Sequence, residues 1–297
     1  MSSTAGSTVA GVVIKEKNGL YTVSSGGTEI QCHAGSRIRK SGIRLLAGDR
    51  VEAEINDGGD GFIVSVRERS NVLARPPVAN IDTFVIVAAA AAPEPYTYGI
   101  DKLAVMAEAA GVEAAVVINK CDIADSGYLS GIYGRAGYRC FQLSAAEGEG
   151  TDALRSYLKG KTAVFAGASG VGKSSLLNAM YPGISAETGE LSRRILRGRN
   201  TTRHTEFFSV GDSTYIADSP GFTMLDEDKL GVESKEALAD CFPEFAPYFG
   251  KCRFRSCSHL KEEGCAVIEA VKNGDIAESR HESYVRLYNA LALISRY

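Results

Sequence analysis

The octapeptide Gly167-Ala168-Ser169-Gly170-Val171-Gly172-Lys173-Ser174 fits the pattern G-x-x-x-x-G-K-S, and it leaves the middle of the chain little choice of fold. Such a loop is entered from a buried strand and left through a helix. Its glycines turn backbone N–H groups onto phosphate oxygens, and the helix N-terminus adds its dipole. The flanking text supplies both elements: residues 162–166 are an apolar run, and Ser174-Ser175-Leu176-Leu177 opens a helical pattern. Lys173 brings a positive charge and Ser174 a hydroxyl suited to magnesium. Residues 167–175, Ser175 included, are therefore expected to line a nucleotide's phosphates.

Upstream, Asn119-Lys120-Cys121-Asp122 follows the apolar run 114–118, the place for a loop at a strand's carboxyl end. This N-K-x-D text resembles the guanine-reading signature of GTPases. By that resemblance Asp122 accepts two hydrogen bonds from the guanine edge, Asn119 braces the phosphate loop, and the Lys120 stem covers the base. Ser144-Ala145 resembles the second guanine motif, whose backbone amide reads the carbonyl oxygen. Asp218-Ser219-Pro220-Gly221 resembles the DxxG of switch II, which assigns Asp218 to magnesium through water and the Gly221 amide to the γ-phosphate. Gly198-Arg199-Asn200-Thr201-Thr202-Arg203 resembles switch I, and of its two threonines Thr202 is expected to meet magnesium. In a Ras-like GTPase the phosphate loop comes first and N-K-x-D several strands later. The order here is reversed, so a circularly permuted G domain is expected, with GTP and GDP as ligands.

Around this centre the pattern changes twice. From Val9 to Val66, short apolar alternations are broken by Asn18-Gly19, Gly26-Gly27 and Asp57-Gly58-Gly59. About five short strands with glycine turns predict a small β-barrel, an OB-fold first among them. Its basic stretch, Arg37-Ile38-Arg39-Lys40 with Arg44, reads as a solvated loop or an RNA contact. Arg75-Pro76-Pro77 reads as a joint, since two prolines cannot continue a ladder. Beyond it, strands over 81–90, 114–118, 139–143, 162–166, 206–210 and 214–217 alternate with helices over 100–110, 154–158 and 174–180. That alternation predicts a mostly parallel α/β sheet. After about Asp228 the chain reads as helical, ending in a stripe of Tyr284, Leu287, Tyr288, Leu291 and Ile294. The expected fold class is multidomain α/β: an OB-fold barrel over 1–69, a circularly permuted P-loop GTPase domain over 70–227, and a helical zinc-binding domain over 228–297.

Seven cysteines are an odd number, and three of them cluster with a histidine as Cys252-x4-Cys257-x-His259-x5-Cys265. Three thiolates and one imidazole at short spacing suit one tetrahedral, closed, structural zinc ion. The four scattered cysteines read as small buried hydrophobes in a reduced cytoplasmic protein. A net charge of −3 gives no global attraction to nucleic acid, so RNA binding must come from local patches. One such patch is Lys251 with Arg253-Phe254-Arg255 inside the metal loop. The longest apolar run, near 84–92, is too short to span a bilayer, so no membrane association is expected.

Taken in order, these parts resemble the circularly permuted ribosome-assembly GTPases of the RsgA/YjeQ family. The matching text is Gly48-Asp49-Arg50-Val51, Asn80-Ile81-Asp82, the motifs at 119–122 and 167–175, Thr201-Thr202-Arg203, Asp218 to Gly221, and the four metal ligands. The resemblance implies a monomeric enzyme that binds the small ribosomal subunit and its rRNA, hydrolyses GTP with stimulation by the subunit, and assists late subunit maturation. Two departures bear on catalysis. Phe222 follows Gly221 where Ras-like enzymes use Gln to orient water. Asn200 occupies the place before the threonine pair where the family usually has His, so His204 and Asn200 are the candidate catalytic residues. A competing reading is an RNA-binding guanine-nucleotide switch with negligible hydrolysis of its own.

Overall fold

The computed structural model describes residues 7–56, 58–74, 76–182, 206–218 and 226–294. Strands β1 (Ser7–Lys17), β2 (Leu20–Ser25), β3 (Thr28–Ala34), β4 (Arg50–Ile55) and β5 (Gly61–Val66) close into a barrel of order β1-β2-β3-β5-β4. β1 pairs antiparallel with both β2 and β4, and β3 pairs parallel with β5. Val13, Val23, Cys32, Val51, Ala53 and Ile63 fill the interior from alternate positions, which is why the strands keep their register. Helix α1 (Ser36–Ser41) plugs the barrel with Ile38. The basic stretch expected as a loop is this helix. Ile38 turns inward while Arg37, Arg39 and Lys40 stay exposed.

The joint after the barrel is a ladder of β6 (Val72–Ala74) with β7 (Pro77–Ala79), where sequence reading expected none. Proline is tolerated at the first residue of a strand, and Pro77 opens β7 opposite Ala74. Just beyond, Asn80 Nδ2 donates to Gly48 O at 2.9 Å and its Oδ1 accepts from Ser70 N. Asp82 bonds Thr162 twice through backbone and carboxylate. These bonds explain why Gly48 and the Asn80-Ile81-Asp82 text occur together.

A six-stranded sheet follows, in the order β10-β9-β8-β11-β13-β12. Its strands are β8 (Thr83–Ala89), β9 (Glu113–Asn119), β10 (Arg139–Gln142), β11 (Thr162–Ala166), β12 (Phe207–Ser209) and β13 (Tyr215–Asp218). β8 and β11 are buried along their whole length, as strands covered on both faces must be. Helices α2 (Thr97–Ala109), α3 (Gly127–Arg135), α4 (Thr151–Leu158) and α5 (Lys173–Met180) connect them.

By contact the described residues group into two compact units. One draws on Met1–Thr83, Tyr157–Val164 and Gly183–Ser219; the other on Phe84–Ser156, Phe165–Pro182 and Pro220–Tyr297. In the second unit the stretch expected to be helical after 228 begins as 3-10 turns, Glu227–Lys229, Ala237–Cys241 and Pro243–Tyr248. Pro243 and Pro247 lack the N–H groups a continuous α-helix needs. Helices α6 (Ala266–Lys272) and α7 (Glu278–Ile294) complete it. Tyr284, Leu287 and Leu291 are buried, but Ile294 is 44 % exposed, so the core stripe stops short of it.

The deepest charge of this unit is Arg280, fully buried on α7. Its guanidinium forks onto Glu244 at 2.6 and 3.1 Å and reaches Asp101 Oδ1 at 2.8 Å. Tyr133 OH donates to the same Asp101 oxygen at 3.0 Å. Burial pushes the Asp101 carboxyl up, and the Arg280 charge opposes that. Removing one member of such a network typically costs about 3–5 kcal/mol, because its partner stays buried and unpaired. The network therefore fixes α7 to α2 and α3. Among the described residues, no helix is long and apolar enough to cross a membrane.

Candidate functional site

The phosphate loop leaves β11 at Gly167 and enters α5 at Lys173. Its geometry demands glycine at two places. Gly167 has φ 150°, and a Cβ there would lie 2.1 Å from Val87 O on the neighbouring strand. Gly172 has φ 90°, and its Cβ would meet Asn119 Nδ2 at 2.4 Å. Ala168, Ser169 and Gly170 are exposed, while Val171 is buried and anchors the loop. Lys173 Nζ folds back onto the carbonyls of Gly167 at 2.8 Å and Ala168 at 3.2 Å. Ser174 and Ser175 follow on the first turn of α5.

The Asn119–Asp122 loop lies against this cradle, within the same compact unit. Asn119 Nδ2 donates to Val171 O at 2.9 Å, and its Oδ1 accepts from Lys120 N at 2.8 Å and Ala145 N at 3.0 Å. One buried amide thus holds three loops together. Lys120, at φ 65°, extends its ammonium to Gly170 O at 2.8 Å and to Ala92 O. Cys121 N donates to Leu143 O, and its thiol donates to Ile118 O. Asp122 is exposed at the end of the loop, where its carboxylate is open to a ligand. Ser144 is buried, its Oγ accepting from Glu147 N at 3.1 Å. The Ala145 amide, expected to read a guanine carbonyl, here donates to Asn119. Nothing in the sequence marks Ala92 as a partner of Lys120, because a backbone carbonyl carries no side-chain code.

Asp218 is the last residue of β13. Asn200, Thr202, His204 and Gly221 lie outside the described residues, as do Thr201 and Phe222.

The second candidate centre is the Cys/His cluster. The ligand atoms of Cys252, Cys257, His259 and Cys265 all lie within 4.8 Å of one another. Cys252 Sγ is 3.6 Å from His259 Nδ1 and 3.9 Å from Cys265 Sγ, and His259 Nδ1 is 3.3 Å from Cys265 Sγ. Ligands at zinc bond lengths around a tetrahedron stand roughly 3.5–3.8 Å apart, so the donor set fits that ion. Burial pushes the Cys257 thiol up to about 12 and holds His259 below its usual value. The neutral imidazole is the form that ligates metal.

Supporting groups surround the cluster. Ala266 N donates to Cys252 Sγ at 3.4 Å, and the Phe249 ring stacks on His259 at 6.0 Å. Glu262, which carries no signal in the sequence, organises the loop between the ligands. Its carboxylate accepts from Ser258 N and Leu260 N at 2.8 Å and from Lys261 N at 3.0 Å. Burial pushes that carboxyl up, but the backbone N–H groups outweigh it and hold the group at about 2.

Known proteins resemble this chain along nearly its whole length. The sequence profile of the RsgA GTPase matches residues 66–228, and that of the RsgA N-terminal domain matches residues 10–63. The small ribosomal subunit biogenesis GTPase RsgA of Moorella thermoacetica is 41% identical over 277 residues, covering 93% of this chain and 94% of that protein. The protein of the same name from Caldanaerobacter subterraneus is 41% identical over 94% of each chain. Among solved structures, YjeQ from Thermotoga maritima superposes with a TM-score of 0.82 at 35% identity, covering 96% of this chain and 99% of that one. YloQ, a circularly permuted GTPase, gives 0.80 at 30% identity, covering 100% and 99%. A family-model match over residues 66–228, with relatives 41% identical along nearly the whole chain, places this chain in the RsgA GTPase family.

Proposed function

We propose that this GTPase binds the small ribosomal subunit and assists its late maturation, hydrolysing GTP to GDP and phosphate with stimulation by the subunit. The observation that carries the reading is the single hydrogen-bonded body formed by the phosphate loop and the Asn119–Asp122 loop, in permuted chain order. Relatives 41% identical along nearly the whole chain are named small ribosomal subunit biogenesis GTPases.

In this reading Asp122 pairs with the guanine edge, and the amides of residues 167–175 with Lys173 hold the phosphates. Ser174, Thr202 and Asp218 hold magnesium, the Gly221 amide meets the γ-phosphate, and the ion neutralises charge developing there. Lys173 Nζ, now on loop carbonyls, exchanges them for phosphate oxygens. Cys252, Cys257, His259 and Cys265 hold one zinc ion that is structural, because four protein ligands leave no open position. The exposed basic face of α1 and the Lys251-Arg253-Phe254-Arg255 knob contact rRNA; Arg253 already lies over the Phe254 ring at 5.5 Å. The working protein is a cytoplasmic monomer, divided functionally at 69/70 and 227/228.

The test is GTP turnover by the full chain with and without purified small subunits. The expected result is a stimulation of about tenfold or more, the scale on which positioning a switch acts. Equal turnover in the two conditions would overturn the proposal and favour a nucleotide switch with negligible hydrolysis.

A further inference from the structure

Two side-chain bonds fasten the hairpin β12–β13 to the barrel. Lys15 Nζ on β1 lies 2.6 Å from Glu206 Oε1, just before β12. Tyr215 OH on β13 donates to Ser24 Oγ on β2 at 3.3 Å. The two strands pair through Phe207↔Ala217, Phe208↔Ile216 and Ser209↔Tyr215, so the hairpin is one piece. Its turn is held separately: Gly160 N donates to Thr214 Oγ1 at 2.8 Å and Tyr215 N to Lys161 O at 3.0 Å.

This hairpin is the chain's link between both switch motifs. Glu206 follows the Gly198 to Arg203 text in sequence, and Asp218, which ends β13, opens Asp218-Ser219-Pro220-Gly221. A group that shifts the hairpin therefore shifts the point where the first switch ends and the second begins. The barrel does not need the Lys15 pair for its own core, which closes around Val13, Val23 and Ile63. The pair is also poor as a stability device. Its side chains are 36 % and 29 % exposed, where ion pairs contribute little. Its strength rises when a docked partner excludes water around it, because the effective dielectric falls.

We infer that Lys15 and Glu206 are positioning residues for hydrolysis, transmitting the barrel's engagement on its partner to the two switch motifs through the β12–β13 hairpin. The inference rests on the proposed function, which supplies the small subunit as that partner. No bond to GTP forms or breaks at either residue, so their effect is read in the stimulated rate, where the partner engages the barrel.

The experiment uses the full chain with Lys15→Ala, Glu206→Ala, and the exchange of both as Lys15→Glu with Glu206→Lys. GTP turnover is measured alone and with saturating small subunits, and subunit affinity by sedimentation. Each single change is expected to lower stimulated kcat about threefold to tenfold, the range of one partly desolvated ion pair. Basal turnover, KM for GTP and subunit affinity stay at wild-type values, and the exchange restores most of the loss. Single variants that keep the full stimulated kcat overturn the inference. So does a loss that appears only in subunit affinity, or one that the exchange does not recover, since either makes Lys15 an ordinary RNA contact. A wild-type chain that ignores the subunit overturns the proposed function and this inference together; unaffected variants beside a stimulated wild type overturn this inference alone.

Discussion

Asn119 links three loops through one side chain, and its neighbour Lys120 grips the phosphate loop at Gly170. Asp122, at the end of this fixed loop, is exposed, and the proposed reading gives its carboxylate to the guanine edge. Asp122→Asn replaces two acceptors with one acceptor and one donor, which opposes the guanine edge and suits xanthine. The variant should bind GTP more weakly by about 3 kcal/mol, since a site built on hydrogen bonds leaves buried groups unpaired when one is lost. Nucleotide titration checks this: it should now prefer xanthosine triphosphate, and a retained preference for GTP would remove the base from Asp122. The glycines of the phosphate loop are legible in the sequence, because a turn packed against neighbouring backbone demands them at particular spacing. Gly167 and Gly172 show the physical reason, each filling a place where a Cβ would strike a neighbouring strand or Asn119. Ala92 is illegible for the opposite reason, since only its carbonyl is used.

Among the elements, the Cys/His loop joins the 3-10 turn ending at Tyr248 to α6. It contains no helix between the turn ending at Tyr248 and α6, and backbone bonds to Glu262 organise only its middle. On the proposed zinc reading, binding energy for the ion is folding energy for this segment. Cys257→Ala should lose the metal and unfold residues beyond about 240, with GTP affinity nearly unchanged. Metal content and hydrogen exchange read the two effects, and a metal-free wild-type preparation that keeps full protection in α6 and α7 would defeat the claim. The four clustered Cys and His residues stand out in sequence through their spacing, whereas Glu262 does not, because its carboxylate serves backbone N–H groups that any sequence supplies. Helix α3 leaves no helical signal either. Gly127, Gly131 and Gly134 lower its propensity, and Leu129, Ile132 and Tyr133 packed inside offset that only in the folded chain. The 3-10 turns between 227 and 248 read as helix in sequence because their buried residues, such as Leu238 and Phe245, recur at similar intervals.

The permutation decides what is connected to what across the whole molecule. β11 carries the phosphate loop and lies between β8 and β13, although in the chain it follows the guanine-reading loop. In sequence the text resembling switch II is followed by Glu227, which accepts from Tyr98 OH at 2.9 Å and faces Lys102 at 3.5 Å. With the barrel bonded to β12–β13 on the other side, the switch text is bracketed in sequence by two fastened points, Glu206 and Glu227. Phe222 follows Gly221 where Ras-like enzymes use a glutamine. Hydrolysis should accordingly be slow alone, because a phenyl ring cannot orient water, and fast once the switch is ordered on the subunit. We propose His204 as the first candidate to contact the attacking water when the switch folds inward on the subunit, with Asn200 second. His204→Ala should reduce stimulated turnover by about tenfold or more, the lower range for a positioned polar group, and leave GTP affinity nearly constant. Single-turnover rates with bound subunits measure it. Rates that survive both His204→Ala and Asn200→Ala would mean that the subunit itself supplies the group that orients water.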